Sequence, residues 1–197
     1  MNKQEIVTNA DIKGIVVVNM LRTKLTSKIE TDIKAVCNLQ PNEINKSEEL
    51  FNSISGRLAV ANALDIISDE EYEDACRTLI LLYQNQPIAP IKFGVIEQHY
   101  CKDYGFDETR VVFKVNVQER LNENFARCQT PNMVLSNFTD EDCLNANELI
   151  ASFAREFELI TQNEFDKIKC MIQDYRNNKK EPKEFLMVPK QFYTKLK

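Results

Sequence analysis

Apolar residues recur along most of this chain every three or four positions, the interval that places side chains on one side of an α-helix. The first stripe is Ile15, Val18, Leu21, Leu25, Ile29, Ile33 and Val36. It predicts a long N-terminal helix reaching Cys37, with Thr8-x-x-Asp11 as its start signal. Gly14 and the run Val16-Val17-Val18 are poor helix formers and suggest a short strand from Gly14 to Asn19. The stripe continues well past them, and that continuation decides for helix. Lys13, Arg22, Lys24 and Lys28 decorate this helix and read as a solvated face.

Two later stretches, Asn45 to Tyr83 and Thr139 to Tyr175, each read as helix, tight turn, helix. In the first, the stripe is Leu50, Ile54, Leu58, Ala61 and Leu64, then Tyr72, Cys76, Leu79 and Tyr83. In the second it is Ala146, Ile150, Phe153 and Phe157, then Phe165, Ile168, Ile172 and Tyr175. Each turn carries a capping box, Ser68-x-x-Glu71 and Thr161-x-x-Glu164, preceded by an isoleucine at the start of a hydrophobic staple. Two such boxes in the same place within similar frames make the second stretch a diverged copy of the first. The alternative is two independent helical hairpins.

Between the hairpins the period changes. Ile91, Phe93 and Val95 alternate with other residues, and so do Val111, Phe113, Val115 and Val117. This predicts a small β-hairpin with Lys102 to Glu108 as its loop, followed by a short helix from Gln118 to Arg127 on Leu121 and Phe125; continuous helix is the rival. The expected class is therefore mainly α (α+β): two related helical hairpins flanking a central β-hairpin, with a long first helix. Pro41, Pro87, Pro90 and Pro131 mark the breaks. They give an N-terminal helical region over 1–86, a central section over 87–138, and a second hairpin with a basic tail over 139–197.

The turns Ile67-Ser68-Asp69-Glu70-Glu71-Tyr72 and Ile160-Thr161-Gln162-Asn163-Glu164-Phe165 resemble the short helical hairpin called SHOCT, whose core reads Ile-Thr-x-x-Glu-Phe or Tyr. The resemblance covers the turns and their flanking helices only. Ile66 and Leu159 stand before the turns where that family usually has glycine. The resemblance implies an interaction or oligomerisation element and supplies no catalytic residue.

Four glycines among 197 residues argue against glycine-rich phosphate loops and favour helices. A net charge of −5 gives no broadly basic nucleic-acid surface. No apolar run has the length of a membrane span, and no signal-peptide pattern precedes the first helix. The six cysteines are scattered singly, so the chain reads as cytoplasmic and reduced, without a disulfide framework.

Charge is concentrated in two places. Asp69, Glu70, Glu73 and Asp74, with Glu71, open the second helix of the first hairpin. They are more acids than a helix start requires, and they read either as an ordinary solvated end or as an acidic knob for a basic partner. Arg176, Lys179, Lys180 and Lys183 begin a basic tail with interspersed aromatics. It reads either as a tail packed on the body or as a contact for nucleic acid or an acidic protein. Knob and tail have opposite signs and suit a contact within one molecule or between two copies.

The candidate chemistry is sparse. His99 and Cys101 would share one face of a strand and are the closest histidine–cysteine pair for zinc or a thiolate, but four-ligand spacing is missing. Asp103, Asp107 and Glu108 form one carboxylate cluster, and Asp140, Glu141 and Asp142 another. A magnesium-dependent nuclease or other small hydrolase needs such groups to converge; capping at Thr139 explains the second cluster. The leading expectation is a non-enzymatic protein-interaction protein without cofactor, an inhibitor or adaptor. In size, acidity and composition it resembles the small proteins that bacterial mobile elements direct at host machinery, among them anti-CRISPR inhibitors. A nucleic-acid-associated protein working through its tail is the alternative, and the hydrolase the third reading.

Overall fold

A computed structural model describes residues 9–40, 43–94, 106–128, 139–178 and 185–188. Among them every regular element is a helix: α1 Asn9–Cys37, α2 Ile44–Ala63, α3 Asp69–Tyr83, α4 Phe106–Cys128, α5 Asp140–Glu156 and α6 Gln162–Asn178. The chain divides into two compact units, Met1–Thr109 and Arg110–Lys197.

The expected α+β class and its central β-hairpin are overturned. Val111 to Val117, read as the second strand, lies inside α4. Its buried positions Phe113, Val117, Leu121 and Phe125 step by four, with Val115, Gln118 and Cys128 also buried beside them. A stripe of every fourth residue also satisfies a test for every second residue, and only its continuation to Leu121 and Phe125 separates helix from strand. Burial of one face then outweighs the modest helix cost of four valines. Ile91 to Gly94, read as the start of the first strand, carries no regular element but does lie along the core, with Ile91 buried. Its polar backbone groups bond to side chains of α1 instead of to a neighbouring strand.

In the first unit, α2 packs against both α1 and α3. The core comprises Leu21, Leu25 and Ile29 from α1, Ile54, Leu58 and Ala61 from α2, Leu64, Ile66 and Ile67 from the turn, and Ala75 and Leu79 from α3. In the second unit, α5 packs against α6, and Asn147 on α5 bonds to the Leu121 carbonyl and to Asn124 on α4. Phe113, Val117 and Leu121, Ile150, Ala151 and Ala154, Phe157, Leu159 and Ile160, and Ile168 and Ile172 fill the corresponding core.

The two hairpins agree down to individual hydrogen bonds. The Ile66 N–H bonds to the Ala61 carbonyl at 2.8 Å, and the Leu159 N–H to the Ala154 carbonyl at 2.8 Å. Ser68 and Glu71 form a reciprocal capping box, and Thr161 and Glu164 exchange the same two bonds. The left-handed residue that ends the first helix of each hairpin is Asp65 (φ 58°) or Glu158 (φ 60°). That conformation thus falls one residue before Ile66 and Leu159, where the sequence reading placed the glycine position. Each of these pairs is separated by the same number of residues.

The correspondence reaches the helix before each hairpin. Leu21, Arg22, Leu25, Thr26 and Ile29 on α1 answer Phe113, Lys114, Val117, Gln118 and Leu121 on α4, at a separation one residue smaller. Each unit is therefore a three-helix module followed by a short irregular strap, 91–94 in the first and 185–188, bent at Met187 and Val188, in the second. Thr139 supplies a further capping box, with Asp142 in the role of the glutamate, which accounts for the acidic start of α5.

Candidate protein-interaction surface

The first unit is fixed around Arg22. This residue was expected on a solvated face, yet it is only 4% exposed. Its Nη1 donates to the Ile66 carbonyl at 2.9 Å and to Glu71 at 3.0 Å, its Nη2 pairs with the other Glu71 oxygen, and its Nε donates to the Gly94 carbonyl at 2.8 Å. A buried guanidinium needs such a full set of acceptors to offset desolvation. Partial burial pushes the Glu71 carboxyl up, but hydrogen bonds from Arg22 and the Ser68 N–H outweigh it and hold the group below its ordinary value. In the second unit Lys114 pairs with Glu164, whose carboxyl is likewise held low against burial by Lys114 and the Thr161 N–H.

The remaining acids of α3 are turned outward: Asp69, Glu70, Glu73 and Asp74 are all exposed. Asp69 accepts from Asn62 at 2.9 Å, and Arg77 holds Glu73 and Asp74 at 3.1 and 2.7 Å. Such solvated pairs contribute little to stability. Further along the same outer face come Ile80, 57% exposed, Leu81, and Tyr83, 67% exposed. Tyr83 was expected in the buried stripe; Leu82 takes the buried place beside it. The outer face of α3 is thus acidic at its N-terminal half and apolar at its C-terminal end.

The apolar end borders a cleft of about 560 Å³ of mixed lining, with Leu39, Phe51 and Tyr83 among its apolar residues and Gln40, Ser47 and Gln86 among its polar ones. Tyr83 meets Phe51 edge to face, with ring centroids 5.4 Å apart. Ile44, at the mouth, is itself exposed.

The second module serves as an internal control. At the positions of Asp69, Glu70, Glu73 and Asp74, α6 carries Gln162, Asn163, Asp166 and Lys167. At those of Ile80, Leu81 and Tyr83 it carries Gln173, Asp174 and Arg176. The shared framework requires Glu71 or Glu164 and the inward-facing apolar residues; it does not require the knob or the exposed apolar end.

The other expected site residues separate. Arg176 belongs to α6, where it reaches Glu141 at 2.7 Å, Glu148 at 2.6 Å and Asn145 at 2.8 Å on α5. Its charge is committed to tying two helices together, and the hydrogen bonds it donates to Glu148 and Glu141 push its pKa further up. Lys179, Lys180, Lys183, His99, Cys101 and Asp103 lie outside the described residues. Asp107 and Glu108 fall in the first turn of α4. Among the described residues no group of three histidine, cysteine or acidic side chains is placed to hold a metal ion. The buried Cys128 thiol is pushed up to about 12, by burial first and then by Cys143 and Asp140, so it stays protonated at neutral pH. No described helix is long and apolar enough to cross a membrane.

Sequence reasoning singled out Asp69, Glu70, Glu73 and Asp74, which are exposed, but missed Ile80, Leu81 and Ile44 as surface residues. Aligning the two hairpins residue by residue exposes the first two, because apolar side chains on α3 face polar ones on α6. No protein-family model, curated protein or solved structure matches this chain.

Proposed function

We propose that this chain is a non-enzymatic protein-interaction protein that offers the outer face of α3 to a partner protein carrying basic side chains next to apolar ones. The difference between α3 and α6 carries this reading. Two modules with one framework need the same residues inside, and they differ where a residue serves something other than the fold. On α3 that difference is three exposed acids, Asp69, Glu70 and Asp74, where α6 has Gln162, Asn163 and Lys167, followed by exposed apolar residues beside an open cleft. Exposed apolar side chains rimmed by charge are the usual composition of a protein contact. The acids steer a basic partner and the apolar end supplies the buried centre. An inhibitor or adaptor of host machinery is the class of activity such a surface serves.

The test is parallel affinity capture from a bacterial lysate with the unaltered chain and with D69N/E70Q/E73Q. The triple variant keeps its helical signal and its melting temperature within a few degrees and loses the retained partner. Capture of the same species by both forms overturns the reading.

A further inference from the structure

The end of α4 and the start of α5 bring two sulfurs together. The Cys128 thiol donates to the Asp140 carbonyl at 3.6 Å, and the Cys143 thiol is within its hydrogen-bonding reach. Cys143 follows Asp140 by three residues on α5, and residues at that interval share one side of a helix. A thiol resting on the Asp140 carbonyl therefore faces the Cys143 side chain. Cys128 and Cys143 are 5% and 7% exposed, and both are free thiols.

Both sulfurs are held where they are. The Tyr175 hydroxyl donates to the Cys128 carbonyl at 3.0 Å and reaches the Asp140 carboxylate at 3.4 Å, so α6 pins the end of α4 against the start of α5. The Cys143 N–H bonds to the Thr139 carbonyl at 3.2 Å, immediately behind the capping box of Thr139 and Asp142. The first unit shows what the framework needs at this corner. By the same correspondence between the modules, Val36, Leu50 and Leu82 stand at the positions of Cys128, Cys143 and Tyr175. Apolar volume is enough to build the corner there. A single buried cysteine is an ordinary small apolar residue; two that meet from different helices, where the other module has two aliphatic residues, can form a bond.

We propose that Cys128 and Cys143 form a disulfide when the protein meets a peroxide, a redox clasp that ties α4 to α5 in the second unit. Cys128 stays protonated at neutral pH, so the first step falls to Cys143. Its sulfur attacks hydrogen peroxide, the O–O bond breaks, and a sulfenic acid and one water result. The Cys128 sulfur then attacks the Cys143 sulfur. The S–S bond forms, the S–O bond breaks, and the Cys128 proton leaves with the hydroxide as a second water. Two thiols together lose two electrons, and the peroxide takes them up. Burial makes the reaction slow, and the contact makes it stop at the disulfide instead of running on to sulfinic acid. The α3 surface belongs to the other unit, and neither reading depends on the other.

The test treats the folded, unaltered chain with hydrogen peroxide, then unfolds it, alkylates it with iodoacetamide and digests it with trypsin. No lysine or arginine separates Cys128 from Arg155, so both sulfurs fall in one tryptic peptide, residues 128–155. That peptide should lack two hydrogens and carry no alkyl group, and dithiothreitol should restore alkylation at both cysteines. The cross-link closes a short loop and should raise the melting temperature of the oxidised chain by at least about 5 °C. C143S, oxidised in the same way, should show no rise. Four results overturn the proposal. The first is alkylation or sulfinic acid at Cys143 after Cys37 and Cys170 are fully oxidised. The second is a disulfide from Cys128 or Cys143 to any other cysteine. The third is a linked share no greater in the folded chain than in guanidinium, which makes the pairing a matter of nearness in sequence. The fourth is a linked chain whose melting temperature is unchanged.

Discussion

Arg22 and Lys114 occupy equivalent places but different surroundings, and their partners should differ in cost accordingly. Arg22 is nearly inaccessible, whereas Lys114 keeps about a quarter of its side chain in water at 24% exposure. Removing Glu71 strands a buried charge and breaks a capping box; E71A should destabilise the first unit by about 3 kcal/mol in urea unfolding. E164A leaves a lysine that can turn to solvent and should cost roughly 1 kcal/mol, mostly from the cap. The Glu71 carboxyl is held below its ordinary value of 4.5. Its contribution is therefore complete above that pH and is lost as pH falls through the lower folded value. An acid titration of the melting temperature should drop below pH 4.5, and E71Q should flatten the drop. Cysteine chemistry separates at the same scale. Cys37 and Cys170 are exposed, Cys128 and Cys143 buried. Brief iodoacetamide treatment followed by peptide mass spectrometry should mark the first two and spare the others until denaturant is added. Arg22 itself was not legible in the sequence, because nothing in a list of basic residues along α1 tells which one turns inward. Its role depends on a carbonyl and a carboxylate more than forty positions away.

At the level of elements, helix starts were far more legible than the central section. Ser68, Thr139 and Thr161 were all readable because a capping box acts over four residues. The ends of α2 and α5 depend on single left-handed residues that are not glycine, and no local signal marked Asp65 or Glu158. That conformation crowds Cβ and costs an ordinary L-residue about 1–2 kcal/mol, less for aspartate, whose short side chain tolerates it. Part of the relief is offset by the freedom that glycine adds to the unfolded chain. E158G should therefore raise stability by about 0.5–1 kcal/mol in thermal unfolding, and D65G by less. The β-hairpin failed for a different reason. At α1 the run of valines was overruled because the stripe continued beyond it, and the same evidence lay in Leu121 and Phe125. Splitting the segment at Gln118 hid a continuous helix, and Gln118 itself looked like a boundary when it is a buried acceptor for the strap. Asn122, which holds Phe185 by its backbone, was equally silent, since a polar residue on a helix ordinarily signals the wet face.

Across the whole molecule, repetition separates what the fold demands from what it does not. The stretch from α2 to α3 announced its relation to that from α5 to α6 through the turns. The kinship of α1 with α4 emerges only when Arg22 and Lys114, or Thr26 and Gln118, are seen to meet matching partners. Once both modules are superposed in sequence, each position of α3 has a control in α6. The exposed apolar end of α3 then stands out as a departure with no structural need behind it. Carrying the α6 residues onto α3, as I80Q/L81D/Y83R, removes three side chains that contribute little to the core. The melting temperature should shift by no more than a few degrees, the loss confined to the edge contact between Tyr83 and Phe51. Binding of an apolar reporter dye should fall, and a partner captured through α3 should be lost as completely as with the acidic knob neutralised. A variant that unfolds would place these residues in the structural framework after all. One that stays folded and still captures the partner would move the contact to another face.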